Sequence, residues 1–260
     1  SSRQASIVPA MNAAQWVRAG AALSRKDYAV ELLTEMDFDS AVEFAASIEI
    51  FNADRKELDK RITNEALIQI IDNKEEERFS SVVFQEDWHK GVIGIVASRL
   101  IEKYYRPTLV FTKSGDKLAA SARSIKGFDV YNALEECSEF IEQFGGHKYA
   151  AGLTLLPENY QNFKNKFEEV VERTIDKKLL TPEITIDAAI DLSEITPKFF
   201  RIIQQMAPFG PMNMKPTFTS TCVRDNGYGK QVGADKTHLK LNVFQGDNQK
   251  GYWWWSDFNR

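Results

Sequence analysis

One long apolar repeat constrains the fold of this chain more than any other feature of its sequence. From Asp39 to Ile71, apolar residues recur at steps of three, four or seven, and no proline or glycine interrupts them. Asp37 or Asp39 suits the start, because a carboxylate there can cap free amides and face the positive end of the helix dipole. A helix of this length spans about 50 Å, more than the width of a small domain. The pattern therefore predicts a helix that supports or connects domains.

Strand-like and helix-like segments alternate after this helix. A hairpin is predicted from Thr108–Thr112 and Lys117–Arg123, around a turn of Ser, Gly and Asp. An amphipathic helix is predicted over Phe128–Phe144, closed at its C-terminal end by Gly145 and Gly146. The remaining predicted elements are strands at Phe79–Phe84 and Ala151–Leu156 and helices at Gly91–Tyr104 and Asn159–Lys177. The alternation favours an α/β domain with a mixed or parallel sheet.

The pattern changes at Pro182. A short helix is predicted at Pro197–Met206, and a loop with several prolines follows it. Three short strand-like runs come next, at Thr217–Val223, His238–Phe244 and Gly251–Trp255. Short strands separated by Gly and Asn turns are typical of a small β module, of which an incomplete barrel is the obvious candidate. We therefore expect three parts: a connector segment (1–78), an α/β domain (79–181) and a β-barrel-like module (182–260).

Charge is distributed unevenly along the 260 residues. The chain has 33 basic and 37 acidic residues, a net charge of −4, which argues mildly against a polyanionic partner. Residues 99–126, however, contain seven basic residues against two acidic ones, and residues 197–250 contain eight against three. Local patches rather than whole-chain charge govern the binding of nucleic acids, so a nucleic-acid partner stays possible, although such blocks are also common on solvated faces.

No membrane or metal signature is visible in the sequence. The longest apolar run, Val92–Ala97, is far short of the roughly 20 residues that span a bilayer, and Cys137 and Cys222 match no metal or redox spacing. We expect a cytoplasmic protein without a membrane partner. The three histidines share no ligand spacing with each other or with an aspartate cluster, and no P-loop, GxSxG or GxGxxG motif occurs. The chain therefore lacks a complete hydrolytic site of its own.

Two motifs suit a phosphate ligand. In Ser121-Ala122-Arg123-Ser124, strand alternation places Ser121 and Arg123 on one face, where a hydroxyl and a forked guanidinium can bind a phosphate. A surface ion pair is the alternative. In Gly145-Gly146-His147, two glycines permit close backbone approach and let the imidazole face a cleft. A helix C-cap followed by an unrelated histidine is the alternative there.

A third motif runs from Trp88 to Arg99 (WHKGVIGIVASR). Its glycines lie at the start of a helix that is otherwise apolar, where close packing or the approach of a ligand would explain them. The alternative is a buried helix that enters the sheet, with His89 as a polar residue whose hydrogen bonds are satisfied locally.

Taken in order, these motifs resemble the C-terminal portion of the RecJ family, bacterial 5′-to-3′ exonucleases specific for single-stranded DNA and members of the DHH phosphoesterase superfamily. The matching stretches run from about Pro9 to Leu241. They are NADRK, WHKGVIGIVASRL, SARSIKGF, FGGHKYAAGL and PFGPMNMKP followed by HLK. The chain departs from the family at Gln15–Val17, where the family usually reads NAAGR after a proline, and no function is assigned to the unusual Trp253–Trp255 run.

The resemblance implies a division of labour within a longer protein. An N-terminal DHH domain, which we expect this chain to lack, would bind two Mn2+ or Mg2+ ions. A DHH-associated domain with the GGH motif would close over the substrate, and an oligonucleotide-binding (OB) barrel would follow. His147 would face the scissile phosphate and complete a site on the missing domain. The residues that would bind substrate phosphate are Ser121, Arg123, Ser124, Gly145, Gly146 and His89.

The expected function is therefore the substrate-binding part of a single-strand-specific exonuclease of DNA repair and recombination, inactive when isolated. Single-stranded DNA is the expected partner, with single-strand-binding protein and repair helicases as further candidates. Two alternatives stay open. One is a stand-alone nucleic-acid-binding module, and the other is a related phosphodiesterase acting on oligonucleotides or cyclic dinucleotides. The β-rich module after Pro182 and the PFG loop favour the exonuclease over the latter.

Overall fold

A long helix, α1 (Phe38–Asp72), precedes the sheet. A computed structural model of the chain describes residues 30–257 except 32, 33, 211, 226, 233–235, 237 and 247, and only the backbone of residues 248–257. Asp37 caps α1, accepting a hydrogen bond from the Ser40 amide at 2.9 Å. Both ends agree with the sequence pattern to within one residue, whereas the Gln15–Val17 departure lies outside the described residues.

A mixed sheet follows, as predicted, and it has five strands where the sequence pattern indicated four. The strands are β1 (Ser81–Phe84), β2 (Thr108–Ser114), β3 (Lys117–Arg123), β4 (Gln143–His147) and β5 (Ala150–Leu155). Their order in the sheet is β1-β2-β3-β5-β4; β1 and β2 are parallel, and the other neighbours are antiparallel. The helices of this region are α2 (Ile93–Lys103), α3 (Val130–Glu135) and α4 (Tyr160–Thr174). The predicted β2–β3 hairpin is confirmed, with Ser114 opposite Lys117 at its turn.

Helices cover the two faces of the sheet unequally. On one face, α3 and α4 pack on a core that extends from Val82 on β1 to Leu153 on β5. On the other face, α1 and α2 pack over Val83 and Val110, on β1 and β2. Gly145 and Gly152, which lie in the same cross-strand row as Val110, are exposed. Helical cover of this second face therefore ends near β3.

The predicted extent of the helix over Phe128–Phe144 is wrong, because only its first part is helical. Helix α3, capped by Asp129, ends at Glu135, and a single 3-10 turn leads into strand β4. Phe140, Ile141 and Phe144 pack against the core from this irregular turn and strand. Pairing with β5 outweighs the local helical periodicity, as tertiary contacts commonly do. Gly145 and Gly146 consequently lie in an edge strand and not at a helix C-terminus.

The described chain divides into two compact units, and the second begins at Pro182. The helices and strands of the second unit are β6 (Ala188–Ala189), α5 (Pro197–Gln205), β7 (Phe218–Thr219), β8 (Val223–Asp225), β9 (Lys230–Val232), β10 (His238–Gln245) and β11 (Asn248–Asp257). Strand β10 is the centre of the main sheet of this unit and pairs with β8, β9 and β11. The predicted strand Thr217–Val223 is broken into β7 and β8, and Cys222 between them has φ +56°. The Trp253–Trp255 run lies in β11.

Candidate nucleic-acid interface

The uncovered part of the second sheet face brings the SARS and GGH motifs together. Arg123 and His147 both pair with Ala150, on opposite sides of β5, and Ser121 and Gly145 both pair with Gly152. Directly opposite residues project to the same face, so these side chains share one surface. We call it the open half-sheet and define it by Ser121, Arg123, Gly145, His147, Ala150 and Gly152. With strands about 4.8 Å apart, its two borders lie about 10 Å from each other.

Arg123 occupies one border of the open half-sheet. Its Nη1 donates to Ser121 Oγ at 3.0 Å and to the Ala122 carbonyl oxygen at 2.8 Å, which confirms that Ser121 and Arg123 share a face. Burial lowers the pKa of the guanidinium below its usual value. Among the residues that the structure describes, no carboxylate forms an ion pair with it, so the alternative of a surface ion pair finds no partner. A half-buried cation of this kind is suited to an anionic ligand.

His147 occupies the other border, on the edge strand β4. The residue is exposed, and its Nδ1 accepts a hydrogen bond from the Tyr149 amide at 3.3 Å. In the neutral ring the proton consequently resides on Nε2, which can donate to a phosphate oxygen.

The two glycines before His147 have different environments. Gly146 has φ +151°, and a Cβ there would lie 2.4 Å from the Ala150 carbonyl oxygen. Gly146 pairs with the buried Ala151 and belongs to the opposite face of the sheet, so glycine is required there for backbone reasons. A Cβ at Gly145 would meet no atom within 4 Å. Gly145 therefore keeps the open half-sheet flat.

Two other predicted site residues make local contacts. Ser124 Oγ donates to the Phe128 carbonyl oxygen at 3.0 Å, which ties the end of β3 to the following turn. His89 is exposed, and its Nδ1 accepts from the Gly91 amide at 3.1 Å just before α2. The structure thus brings together Ser121, Arg123, Gly145 and His147, whereas Ser124, Gly146 and His89 lie outside the open half-sheet.

Sequence reasoning missed the turn between β4 and β5. Tyr149 in this turn is 45% exposed, and Lys148 Nζ lies 5.6 Å from the centre of its ring. The Tyr149 carbonyl oxygen accepts from the Ser124 amide at 3.0 Å, which fixes the turn beside β3. An aromatic residue and a lysine directly after GGH were the available signal, since exposed aromatic rings beside cations are typical of single-strand-binding surfaces.

The described residues contain no group of three or more His, Cys, Asp or Glu side chains that could hold a metal ion. Within the same residues, no helix is both long enough and apolar enough to cross a membrane.

Comparison with known proteins supplies the context for this geometry. Residues 76–173 match the family model of the DHHA1 domain, and residues 186–260 match that of the RecJ OB domain. The chain belongs to the RecJ family. It corresponds to the C-terminal portion of RecJ proteins, with a mixed α/β domain followed by the OB domain.

RecJ proteins of several bacteria are similar to the chain. It is 33% identical over 224 residues to the single-stranded-DNA-specific exonuclease RecJ of Bacillus subtilis, a match that covers 85% of the chain and 28% of that protein. The corresponding protein of Haemophilus influenzae is 31% identical, with 90% of the chain and 41% of the relative covered. The chain thus spans well under half the length of these relatives.

Solved RecJ structures show the same fold. The Thermus thermophilus RecJ structure with Mn2+ aligns with a TM-score of 0.72 and 25% identity, over 88% of this chain and 33% of that one. The Mg2+ complex of RecJ from that organism aligns with the same TM-score at 22% identity, over 90% and 37%. Divalent metal ions are therefore used in the RecJ family, although the described residues of this chain provide no cluster that fits one.

Proposed function

We propose that this chain is the substrate-binding C-terminal part of a 5′-to-3′ exonuclease specific for single-stranded DNA, acting in DNA repair and recombination. The observation that carries the proposal is Arg123, a half-buried arginine without a carboxylate partner among the described residues, beside an exposed sheet face lined with glycine and alanine. Phosphodiester hydrolysis belongs to the complete protein. The Mn2+ or Mg2+ ions of the reaction bind to a DHH domain outside this chain, and the isolated chain is inactive.

Each border of the open half-sheet has a distinct role in this proposal. Ser121 and Arg123 bind a phosphate through a hydroxyl and a planar fork of charged donors. His147 faces the scissile phosphate with its Nε2 proton. Gly145 leaves room for the sugar-phosphate backbone to lie close to the strands. The assignment of Ser124, Gly146 and His89 to phosphate binding stays a prediction.

The second unit has candidate DNA-binding residues of its own. Arg224 on β8 and Lys230 on β9 are exposed, and Tyr228 between these strands is 81% exposed. Basic residues interleaved with aromatic rings bind single strands with little sequence preference, because every base can stack. The match of 186–260 to the RecJ OB domain supports this role and disfavours a cyclic-dinucleotide phosphodiesterase. The division into 1–78, 79–181 and 182–260 is part of the proposal. The unit boundary at Pro182 supports the second division, and the DHHA1 match begins at residue 76, close to the first.

The wider setting follows from the same proposal. A DNA-degrading enzyme of bacteria works in the cytoplasm. Repair helicases would supply its single-stranded substrate there, and single-strand-binding protein would cover it.

A binding titration tests the proposal. Fluorescein-labelled oligothymidine is titrated with the 260-residue chain and with Arg123→Ala at several salt concentrations. The matched control is Arg173→Ala, which removes one positive charge from α4, on the opposite side of the sheet. We expect Arg123→Ala, but not the control, to weaken binding. The slope of log K against log salt concentration should also become shallower by about one, the value for one lost phosphate contact. Equal effects of the two variants would contradict the phosphate assignment.

A second measurement separates an exonuclease from a stand-alone binding module. The complete protein should digest oligothymidine with Mn2+ while the 260-residue chain does not. Binding without digestion by the complete protein would favour the module.

A further inference from the structure

Gly94 is the second residue of α2 and lies directly against the two side chains assigned to phosphate binding. A Cβ built on Gly94 would lie 2.9 Å from Arg123 Nη2, 3.0 Å from Ser121 Oγ and 3.6 Å from Arg123 Cζ. The 3.6 Å separation from Cζ is an ordinary contact, but 2.9 Å from Nη2 is too short for a Cβ, so a methyl group at this position would require the guanidinium to move. The first turn of α2 and strand β3 are thus in contact through a position that has no side chain.

The backbone of α2 does not itself require glycine at position 94. Gly94 is not among the glycines with positive φ, and it lies within regular helix, where alanine is the more favourable residue. Glycine therefore weakens the local helix without a conformational reason. The space occupied by Arg123 and Ser121 is what explains its presence.

Strand β3 and helix α2 together limit where the Arg123 guanidinium can lie. On the strand side, Nη1 donates to Ser121 Oγ and to the Ala122 carbonyl oxygen. On the helix side, Nη2 lies beside Gly94, 2.9 Å from the position that a Cβ would occupy. The end of an arginine is flexible, so a methyl group at position 94 would displace the guanidinium and leave the packing of α2 on the sheet largely intact.

We propose that Gly94 is a positioning residue for phosphate binding. Because it has no side chain, it leaves the space in which the Arg123 guanidinium lies when it binds the nucleic-acid backbone. This role rests on the function proposed above. It predicts that a substitution which favours the helix nevertheless weakens DNA binding, whereas a purely structural glycine would show its effect in stability.

A double-mutant cycle in the 260-residue chain tests this role. Gly94→Ala, Arg123→Ala and the double variant are compared by Kd for fluorescein-labelled oligothymidine and by Tm. We expect Gly94→Ala to weaken binding about three- to tenfold, a coupling typical of contacting residues, and to leave Tm unchanged or raised. In the Arg123→Ala background, Gly94→Ala should have a much smaller effect on Kd, because only the 3.0 Å contact with Ser121 Oγ remains.

Ser98→Ala is the matched control. Ser98 is exposed one turn further along α2, and its hydroxyl donates to the Gly94 carbonyl oxygen at 3.2 Å. The substitution disturbs the same helical turn without placing an atom near Arg123, so wild-type binding is expected. The Arg123 Nε–H resonance in a 15N spectrum, identified by its loss in Arg123→Ala, should shift in Gly94→Ala and stay in place in Ser98→Ala.

The outcomes separate this inference from the proposed function. Wild-type binding by Arg123→Ala would contradict the proposed function itself. Weak binding by Arg123→Ala together with wild-type binding by Gly94→Ala, or with independent effects in the double variant, would overturn the positioning role alone. If Gly94→Ala lowers Tm, the double-mutant cycle is evaluated with Tm in place of Kd. The loss of Tm must become smaller when Arg123 is replaced by alanine, and a loss that persists in full assigns Gly94 to helix packing.

Discussion

Arg123 on β3 and His147 on β4 are both paired with Ala150, the first residue of β5. Ala150 therefore lies between these two residues in one cross-strand row, and its side chain is a single methyl group. Two motifs that are 24 positions apart in sequence are adjacent because β5 is inserted between β3 and β4 in the sheet. The candidate site consequently depends on strand order as much as on residue type.

Replacing Arg123 in the complete protein should slow exonuclease turnover more than it affects stability. We expect Arg123→Ala to lose about 2–4 kcal/mol of transition-state stabilisation, about 30- to 1000-fold in rate. Arg123→Lys keeps the charge but not the paired donors, so it should recover only part of the rate. Exonuclease rates and Tm at one salt concentration provide the check. Unchanged rates with a small loss of stability would exclude Arg123 from the site.

Gly146→Ala should destabilise the β4–β5 hairpin, whereas Gly145→Ala should not. An alanine at 146 would combine a positive φ with a 2.4 Å contact to the Ala150 carbonyl oxygen. The expected cost is about 2–3 kcal/mol, a fall in Tm of roughly 4–12 °C for a unit of this size. The neighbouring Gly145→Ala is the control, with an expected change within about 0.5 kcal/mol. Similar melting temperatures for the two variants would contradict the hairpin geometry.

A buried ion pair predicts a second stability difference. Lys164 Nζ on α4 lies 2.7 Å from Glu75 Oε1, and both side chains are 8% exposed. Lys164→Met should cost about 3 kcal/mol, because it leaves a buried carboxylate without its main partner. Adding Glu75→Gln should restore part of that loss. The control is Lys166→Met, whose partner Glu169 is mostly exposed, with an expected cost below about 1 kcal/mol. The stability losses are measured by thermal unfolding of the wild type, the two single variants and the double variant. Equal losses from Lys164→Met and Lys166→Met would contradict the argument.

The two cysteines should react with thiol reagents at very different rates. Cys137 is fully buried, and burial raises the pKa of its thiol to about 12. At pH 8 only about one thiol in 10,000 is therefore deprotonated in the folded state, whereas unfolding returns the pKa towards its ordinary value near 8.5. Cys222 is exposed. Labelling at pH 8 should modify Cys222 in the folded protein and both cysteines in denaturant. Rapid double labelling of the folded protein would show that Cys137 is accessible.

The sequence predicts those parts of the fold that local patterns determine. The α1 helix has an uninterrupted 3.6-residue period and an aspartate cap, and the β2–β3 hairpin has alternating residues around a glycine turn, so both are predicted almost to the residue. Strand β4 is not predicted. Its Gly145 and Gly146 have no side chains that could show a two-residue period. The residue that pairs with Gln143 at its start, Thr154 on β5, lies beyond the hairpin turn.

The candidate site was only partly predictable for the same reason. Alternation along β3 is enough to place Ser121 beside Arg123. The contact of Gly94 with Arg123 joins a helix and a strand whose pairing no local pattern specifies. The glycine could therefore be noticed in the sequence, but its partner could not.

Helix α1 also has a mechanical consequence. Asp59 in its second half is buried and accepts a hydrogen bond from Arg99 of α2 at 3.0 Å, which joins the two helices at that point. From Asp59 to Phe38 the helix extends about 30 Å. A rotation of about 10° about Asp59 would displace Phe38 by about 5 Å, and it would also move Ala45, Ile48 and Asn52, which are buried on this part of the helix. The packing of these residues therefore ties the direction of the first half of α1 to the Asp59–Arg99 contact.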